Sequence, residues 1–371
     1  MKGQNQVTDA RLHREAARPP CWQGDERAWL ITRYADVSYV LKTEDASIID
    51  VAGNVQRLSE RMNGAFSNSI LLLGSSHPLQ DSPAHAPIRA GLKTILSDIM
   101  RRWPPEKLED FAIRLLTKAA DAKRVDAVRF LAGPMAGEII ADGLGLELQQ
   151  VYRCNELTRD VSSMWYRGVH ALRELRAMEE SATELVDILS SRYEGSRRSE
   201  YASLSFLTMA GVETSTSLLS SAIHLLSRDQ ALQQRLRAEP GLVNGLISET
   251  LRRFPPLRRI LGRKTEKDVT LSGQTIPRNA ALAVDIESAH HDPDAYPDPE
   301  RIDLTRTGPP TLAFGAGAHA CLGAGLARME AKVFIDCLIR DFIVHPAGEA
   351  QRRPSRDWFE FDSVPIRLQR I

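Results

Sequence analysis

The sequence predicts a mostly α protein with small β-sheets. Between residues 85 and 255 apolar side chains recur at helical spacing in six segments: 85–100, 106–121, 133–144, 170–194, 201–228 and 241–254. Residues 264–286 alternate instead, with Ser-Gly and Pro-Arg-Asn as turns, and read as short hairpins. Nowhere does the chain alternate strand and helix as a doubly wound sheet requires.

The elements follow in order. Residues 1–20 are polar, lack an apolar signal core and read as a mobile arm. WLITRYADVSYVL (29–41) reads as a strand running into a short helix. The last of the six helices stops at Pro255-Pro256, as helices do before proline. AHHDPDAYPDPERIDLTRTGPP (289–310), rich in Pro and Asp, is an irregular meander. A helix is expected over about 321–341 and short strands over the tail. No repeat or linker divides the chain, so one domain is expected over 21–371.

Composition narrows the function. Lys+Arg and Asp+Glu balance at 48 each, so nothing global points to nucleic acid or an anionic membrane. The four cysteines are scattered without a CxxC, which excludes a zinc site or disulfide framework and fits a reducing cytoplasm. The apolar stretch 201–227 is long enough to span a bilayer. However, it holds ten Ser or Thr residues with Glu213 at its centre, which favours a buried helix of a soluble protein without a membrane anchor.

FGAGAHACLG (314–323) raises the chemical question. Its Gly-x-Gly-x-x-Ala pattern formally matches a dinucleotide fingerprint, but no buried strand precedes it and too little chain follows for a second half-sheet. A thiolate at the mouth of a helix is the alternative. Backbone N–H groups and the helix dipole favour the Cys321 anion, and the glycines let a flat ligand approach. One cysteine cannot hold zinc, whereas one axial thiolate suffices for haem iron. A buried structural cysteine explains none of the glycines.

The segment Phe314-Gly315-x-x-x-His319-x-Cys321-x-Gly323 resembles the haem-binding signature of the cytochrome P450 family, and Ala327-Arg328 continue the match. Ala210-Gly211-x-Glu213-Thr214 resembles its oxygen-activation motif. There Thr214 can bond back to the Ala210 carbonyl, and Glu213 sets an acid beside the alcohol. Glu249-x-x-Arg252 resembles ExxR, and Tyr296-Pro-Asp-Pro-Glu-Arg301-Ile resembles the PERF segment. The expected cluster is Glu249–Arg252–Arg301, with Tyr296 and Ile302 standing where phenylalanine is usual. Asp81 to Arg89 resembles the family's propionate-binding stretch through His85 and Arg89, and Arg263 and His319 match further propionate partners. The motifs keep family order from about residue 29 to Val364-Pro365-Ile366.

The resemblance implies a helical prism enclosing haem b, with Cys321 as the iron ligand and Thr214 and Glu213 organising proton delivery. It implies a cytoplasmic monooxygenase that takes two electrons from a soluble ferredoxin or flavodoxin with its reductase. One oxygen atom of dioxygen would enter a small organic substrate of secondary metabolism, by hydroxylation or epoxidation. Oxidative coupling, desaturation or nitration on the same haem is the alternative, and a non-catalytic binding module ranks below both. Arg101, Arg102 and Arg253 are candidates for the redox-partner face. The 62–80 loop, Met209, Val212, Arg259, Ile260, Leu261, Asp362 and Ser363 are expected at the substrate pocket. Arg258 or Arg259 would meet a substrate anion. EGSRRSEYASL, before the oxygen-activation helix, is shorter than the family usually has, which suggests an open entrance or a carrier-bound substrate.

Overall fold

The structure, a computed structural model, describes residues 18–76, 78, 80, 81, 83–167, 172–193 and 200–371. The arm expected over 1–20 lies, through residue 17, outside the described residues, as do 194–199 of the short segment.

The helices are α1 (Tyr34–Lys42), α2 (Val51–Glu60), α3 (Ser67–Gly74), α4 (His85–Arg102), α5 (Pro105–Ala120), α6 (Gly133–Leu144) and α7 (Leu148–Arg167). They continue with α8 (Leu172–Arg192), α9 (Glu200–Arg228), α10 (Gln230–Ala238), α11 (Val243–Arg253), the single turn α12 (Ile286–Ala289) and α13 (Ala324–Asp341). Helix α7 was not expected from the sequence. Its inward stripe is Val151, Cys154, Leu157, Thr158, Val161 and Ser162. Three of those six side chains are not aliphatic, so the apolar period is diluted.

Five short strands form the largest sheet in the order β1 (Cys21–Gln23), β2 (Ala28–Ile31), β8 (Ala281–Asp285), β5 (Arg259–Thr265), β3 (Ala46–Ile48). Only the β2–β8 pairing is parallel. Strands β6 (Val269–Leu271) and β7 (Gln274–Ile276) make the expected hairpin. The tail supplies β9 (Phe342–Pro346) and β12 (Pro365–Arg370), which pair with each other, and β12 also pairs with β4 (Val125–Asp126). A separate ladder joins β10 (Gln351–Arg352) to β11 (Phe361–Ser363).

Helix α9 runs through the main core, and several of its hydroxyls are satisfied within the helix. Thr208 donates to Ser205 O at 2.7 Å, Ser220 to Ser217 O at 3.2 Å and Ser227 to His224 O at 2.8 Å. Hydroxyls bonded back to their own helix can be buried without a desolvation penalty. At Gly211 a Cβ would lie 2.4 Å from Ile140 Cδ1, so glycine lets α9 approach α6. Among the described residues no helix is long and apolar enough to cross a membrane.

Candidate active site

Cys321 lies between a short turn, Gly317–His319, and the start of α13. Its backbone N–H donates to Phe314 O at 2.8 Å, and Gly315 N–H donates to Leu312 O at 2.8 Å. Gly315 and Gly317 have φ of +67° and +70°, a region that strains any other residue type. At Gly317 a Cβ would also stand 2.6 Å from Leu41 O of α1. The loop is thereby pressed against α1. Backbone N–H groups of Gly323 and Ala324 favour the Cys321 thiolate, while burial, the larger effect, pushes its thiol up. The side chain is nevertheless accessible. It sits in a dense surround and presents one open face, the setting a metal ligand needs.

A group of arginine and histidine side chains lies beside this loop. Arg263 is buried and its Nε has no hydrogen-bond partner among the described residues. The His85 and His319 ring centroids are 4.3 Å apart. Burial, Arg263 and His85 push His319 down to about 4, and burial and Arg89 push His85 down. Asp81 opposes both shifts, with its Oδ1 3.4 Å from His319 Nε2. Two arginines and two histidines around one carboxylate form a site short of negative charge. Haem propionates supply that charge, so the residues fit the group.

Thr214 Oγ1 donates to Ala210 O at 2.6 Å, so the Ala210 carbonyl is engaged by a side chain. Glu213 is buried beside it, and burial raises its carboxyl to about 7. Arg159 of α7 opposes that shift with its Nε 2.9 Å from Glu213 Oε1, but neither Glu213 oxygen has an aligned hydrogen bond. Arg159 is better satisfied by Glu360, at 2.9 and 3.1 Å. Glu360 in turn accepts from Arg353 at 2.8 Å, and Arg353 also reaches Asp362 at 2.8 Å. An acid poised near neutral pH and an alcohol thus adjoin on one helix, with a charged chain leading outward.

The ExxR cluster corrects one expectation. Glu249 accepts from Arg252 Nε at 2.7 Å and Nη2 at 3.0 Å. Its third partner is Arg306, at 3.1 Å, with the Asp303 N–H at 2.9 Å. Arg301 turns outward to Asp303 at 3.5 Å and contributes only its carbonyl, which accepts from Arg252 and Arg306. Tyr296 is buried, and its hydroxyl finds the carbonyls of Pro309 and Pro310 at 3.2 and 3.1 Å.

The model described as cytochrome P450 matches residues 201–369. Cytochrome P450 119 of Sulfolobus acidocaldarius is 30% identical over 365 residues, covering 93% of this chain and 95% of the relative. The chain belongs to the cytochrome P450 family. Among solved structures, CalO2 superposes with a TM-score of 0.82 at 24% identity, over 99% of this chain and 96% of that one. P450BioI, solved with a hexadec-9Z-enoic acid-ligated acyl carrier protein, gives 0.80 at 20% identity, over 99% of both chains. These two likenesses establish the fold. As a cytochrome P450, the chain is a haem-dependent monooxygenase and hence an oxidoreductase.

The substrate-side expectations divide on this P450 frame. Met209 and Val212 are buried on α9. Leu72, Leu73 and Ser76 of the 62–80 segment line a small cavity with Thr158, Val161 and Phe206. Arg258 and Arg259 are not free cations. Arg258 donates to Glu287 and to Ser355 O, each at 2.6 Å, and Arg259 Nη1 donates to Glu26 at 2.7 Å. Ile260 and Leu261 pack on the five-stranded sheet, where a bulge with Gly262 at φ +81° shifts the register. Asp362 is held by Arg353, and Ser363 pairs with Gln351. The segment beside residues 257–259 is instead 357–359, through the isolated Leu257–Trp358 bridge and the Phe359 N–H to Pro256 O bond at 2.9 Å. The aromatic run WFEF (358–361) was the available sequence signal for it. On the Cys321 side, Arg101 pairs with Asp98 and Arg102 donates to Asp142 O at 3.2 Å. Arg253 is taken up by Glu300 at 2.6 Å and by His291.

Proposed function

We propose that residues 21–371 form one domain around haem b, with Cys321 as the proximal thiolate. The carrying observation is the Cys321 cradle beside a buried Arg263 whose Nε has no hydrogen-bond partner among the described residues. Haem iron so bound supplies reductive activation of dioxygen, with electron density pushed from the thiolate favouring O–O cleavage. Arg263, His85, Arg89 and His319 hold the propionates. Phe314, Gly315 and Gly323 shape the loop, and Ala210 and Thr214 open the α9 backbone opposite it. Glu213 brings a proton to the Thr214 hydroxyl, because burial raises its carboxyl to about 7, where it can both hold and release a proton near neutral pH. The substrate is a small organic molecule that receives one oxygen atom. Met209, Val212 and the 257–261 wall shape its chamber, with Arg258 and Arg259 bracing that wall from behind.

The electrons come from a soluble ferredoxin or flavodoxin with its reductase, docking on the side of Arg101 and Arg102. Delivery of the substrate on a carrier protein is supported by the short segment before α9 and by the carrier complex of P450BioI. The reduced, carbon-monoxide-bound protein should show a thiolate-type Soret band that Cys321→Ser displaces. Purified protein without haem would overturn the assignment. A substrate-type spectral shift with a free small molecule, and none with its carrier-bound form, would remove the carrier.

A further inference from the structure

His290 is fully buried where the start of the meander passes beneath the Cys321 loop. Its ring makes contacts in two directions. Leu312 N–H lies 2.8 Å from Nε2, and the Arg252 carbonyl lies 3.0 Å from Nδ1. A backbone N–H can only donate, so Nε2 must hold a lone pair. A carbonyl can only accept, so Nδ1 must carry the proton. One neutral tautomer satisfies both partners, and no other protonation state does. Thr311 Oγ1 stands 3.2 Å from Nε2 and can donate to the same nitrogen.

The two ends of this bridge are not equivalent. At the Arg252 end the contact is reciprocal, since Arg252 Nη1 donates to His290 O at 3.1 Å. That end is anchored several times over, through Glu249, Pro299 and Arg301. At the Leu312 end, His290 supplies the acceptor for the amide that opens the thiolate loop. Leu312 O then accepts from Gly315 N–H, and Phe314 O accepts from Cys321 N–H, both at 2.8 Å. Tyr296 closes the ring edge-on at 6.0 Å.

We infer that His290 is a positioning residue for the thiolate, its neutral imidazole passing the fixed geometry of the Glu249–Arg252 cluster to the loop that aims Cys321. The inference rests on the haem-thiolate reading. Burial together with the neighbouring Arg252 and His291 charges drives the ring down to about 3, so the required tautomer persists across the working pH range.

The test separates the two arms of the bridge. In His290→Gln the side-chain carbonyl reaches the Nε2 position and accepts from Leu312, while the arm to Arg252 is lost. In His290→Asn the amide reaches only the Nδ1 position, so the Arg252 arm is kept and Leu312 loses its acceptor. In full-length purified protein, Asn should speed conversion of the carbon-monoxide complex from its thiolate-type Soret band by about tenfold or more. It should speed exchange of the Leu312 amide to a similar degree. Gln should stay close to wild type in both. Equal behaviour of the two variants, or Asn indistinguishable from wild type, overturns the inference. If neither variant folds, wild type decides the matter. Selective 15N-histidine spectra of the diamagnetic ferrous carbon-monoxide complex should show His290 protonated at Nδ1 and unprotonated at Nε2. A protonated Nε2 at neutral pH overturns the inference. A wild-type protein lacking the thiolate band altogether would instead overturn the haem-thiolate reading, and the amide exchange and ring tautomer would still report on the bridge.

Discussion

Arg159 pairs with Glu213 across the α7–α9 contact at 2.9 Å, yet gives its aligned hydrogen bonds to Glu360. Glu213 is therefore a buried acid with an attractive charge nearby, where the Arg159 charge and the Asn155 side chain only partly offset the effect of burial. Burial lifts it from 4.5 to about 7. With the folded value above the unfolded one, the stability of the protonated form is fully present below about 4.5. It falls as pH rises and levels off above about 7. The total loss is on the order of 3 kcal/mol. Melting temperatures of wild type and Glu213→Gln should diverge through that window and run parallel above it. Curves parallel throughout would contradict the assignment.

Turnover should follow the same group. If protons pass through Glu213, the rate falls as pH rises through about 7, and Glu213→Gln flattens that limb. Removing the Arg159 charge takes away the main opposing influence on the carboxyl, so Arg159→Ala should move the limb to higher pH. A limb that stays in place would mean that another group is being titrated.

The Glu249 cluster makes a prediction that separates two arginines. Arg306→Ala removes a half of a mostly buried pair and should cost about 3 kcal/mol. Arg301→Ala, at an exposed side chain that uses only its carbonyl inward, should stay within about 0.5 kcal/mol. Denaturant midpoints give both values, and a reversed order would restore Arg301 to the cluster.

Arg259 and Glu26 tie the β1–β2 hairpin to the 257–261 wall. Arg259→Ala should destabilise by about 3 kcal/mol, and Glu26→Ala should add little on top of it. Because the guanidinium is occupied, affinity for anionic and neutral ligands should change alike. A selective loss of anionic ligands would place Arg259 inside the chamber after all.

Arg263 is the most exacting test of the haem site. Arg263→Leu should fold as well as wild type or better, since it relieves a buried guanidinium with an unpartnered Nε. It should also release haem to an acceptor globin faster. Faster release together with destabilisation of the haem-free protein would indicate a structural role instead.

Much of this was legible in the chain because the chemistry is local in sequence. Cys321, its glycines and His319 fall within ten residues, and Thr214 finds Ala210 one helical turn back. Legibility fails where partners come from afar. Arg306 and Arg301 lie five residues apart in an irregular segment, and only the path of the meander decides which one reaches Glu249. Arg159 belongs to a helix whose buried stripe is interrupted by Cys154, Thr158 and Ser162, so neither that helix nor its approach to Glu213 could be read from periodicity. Arg258 and Arg259 looked available because Glu287 and Glu26 lie 29 and 233 residues away.

The donors of Arg252 are spent on Glu249, His290, Pro299 and Arg301, four partners drawn from three separate stretches of chain. Such an arrangement has few neighbouring solutions: replacing Glu249 or Arg252 strands the buried charge and the carbonyls left behind. The wall proposed for the substrate, at Met209, Val212 and Ile260, carries interchangeable apolar side chains and has many neighbouring solutions. Selection can therefore redesign what the enzyme oxidises in small steps while the half that handles electrons stays frozen, and laboratory libraries should be placed accordingly.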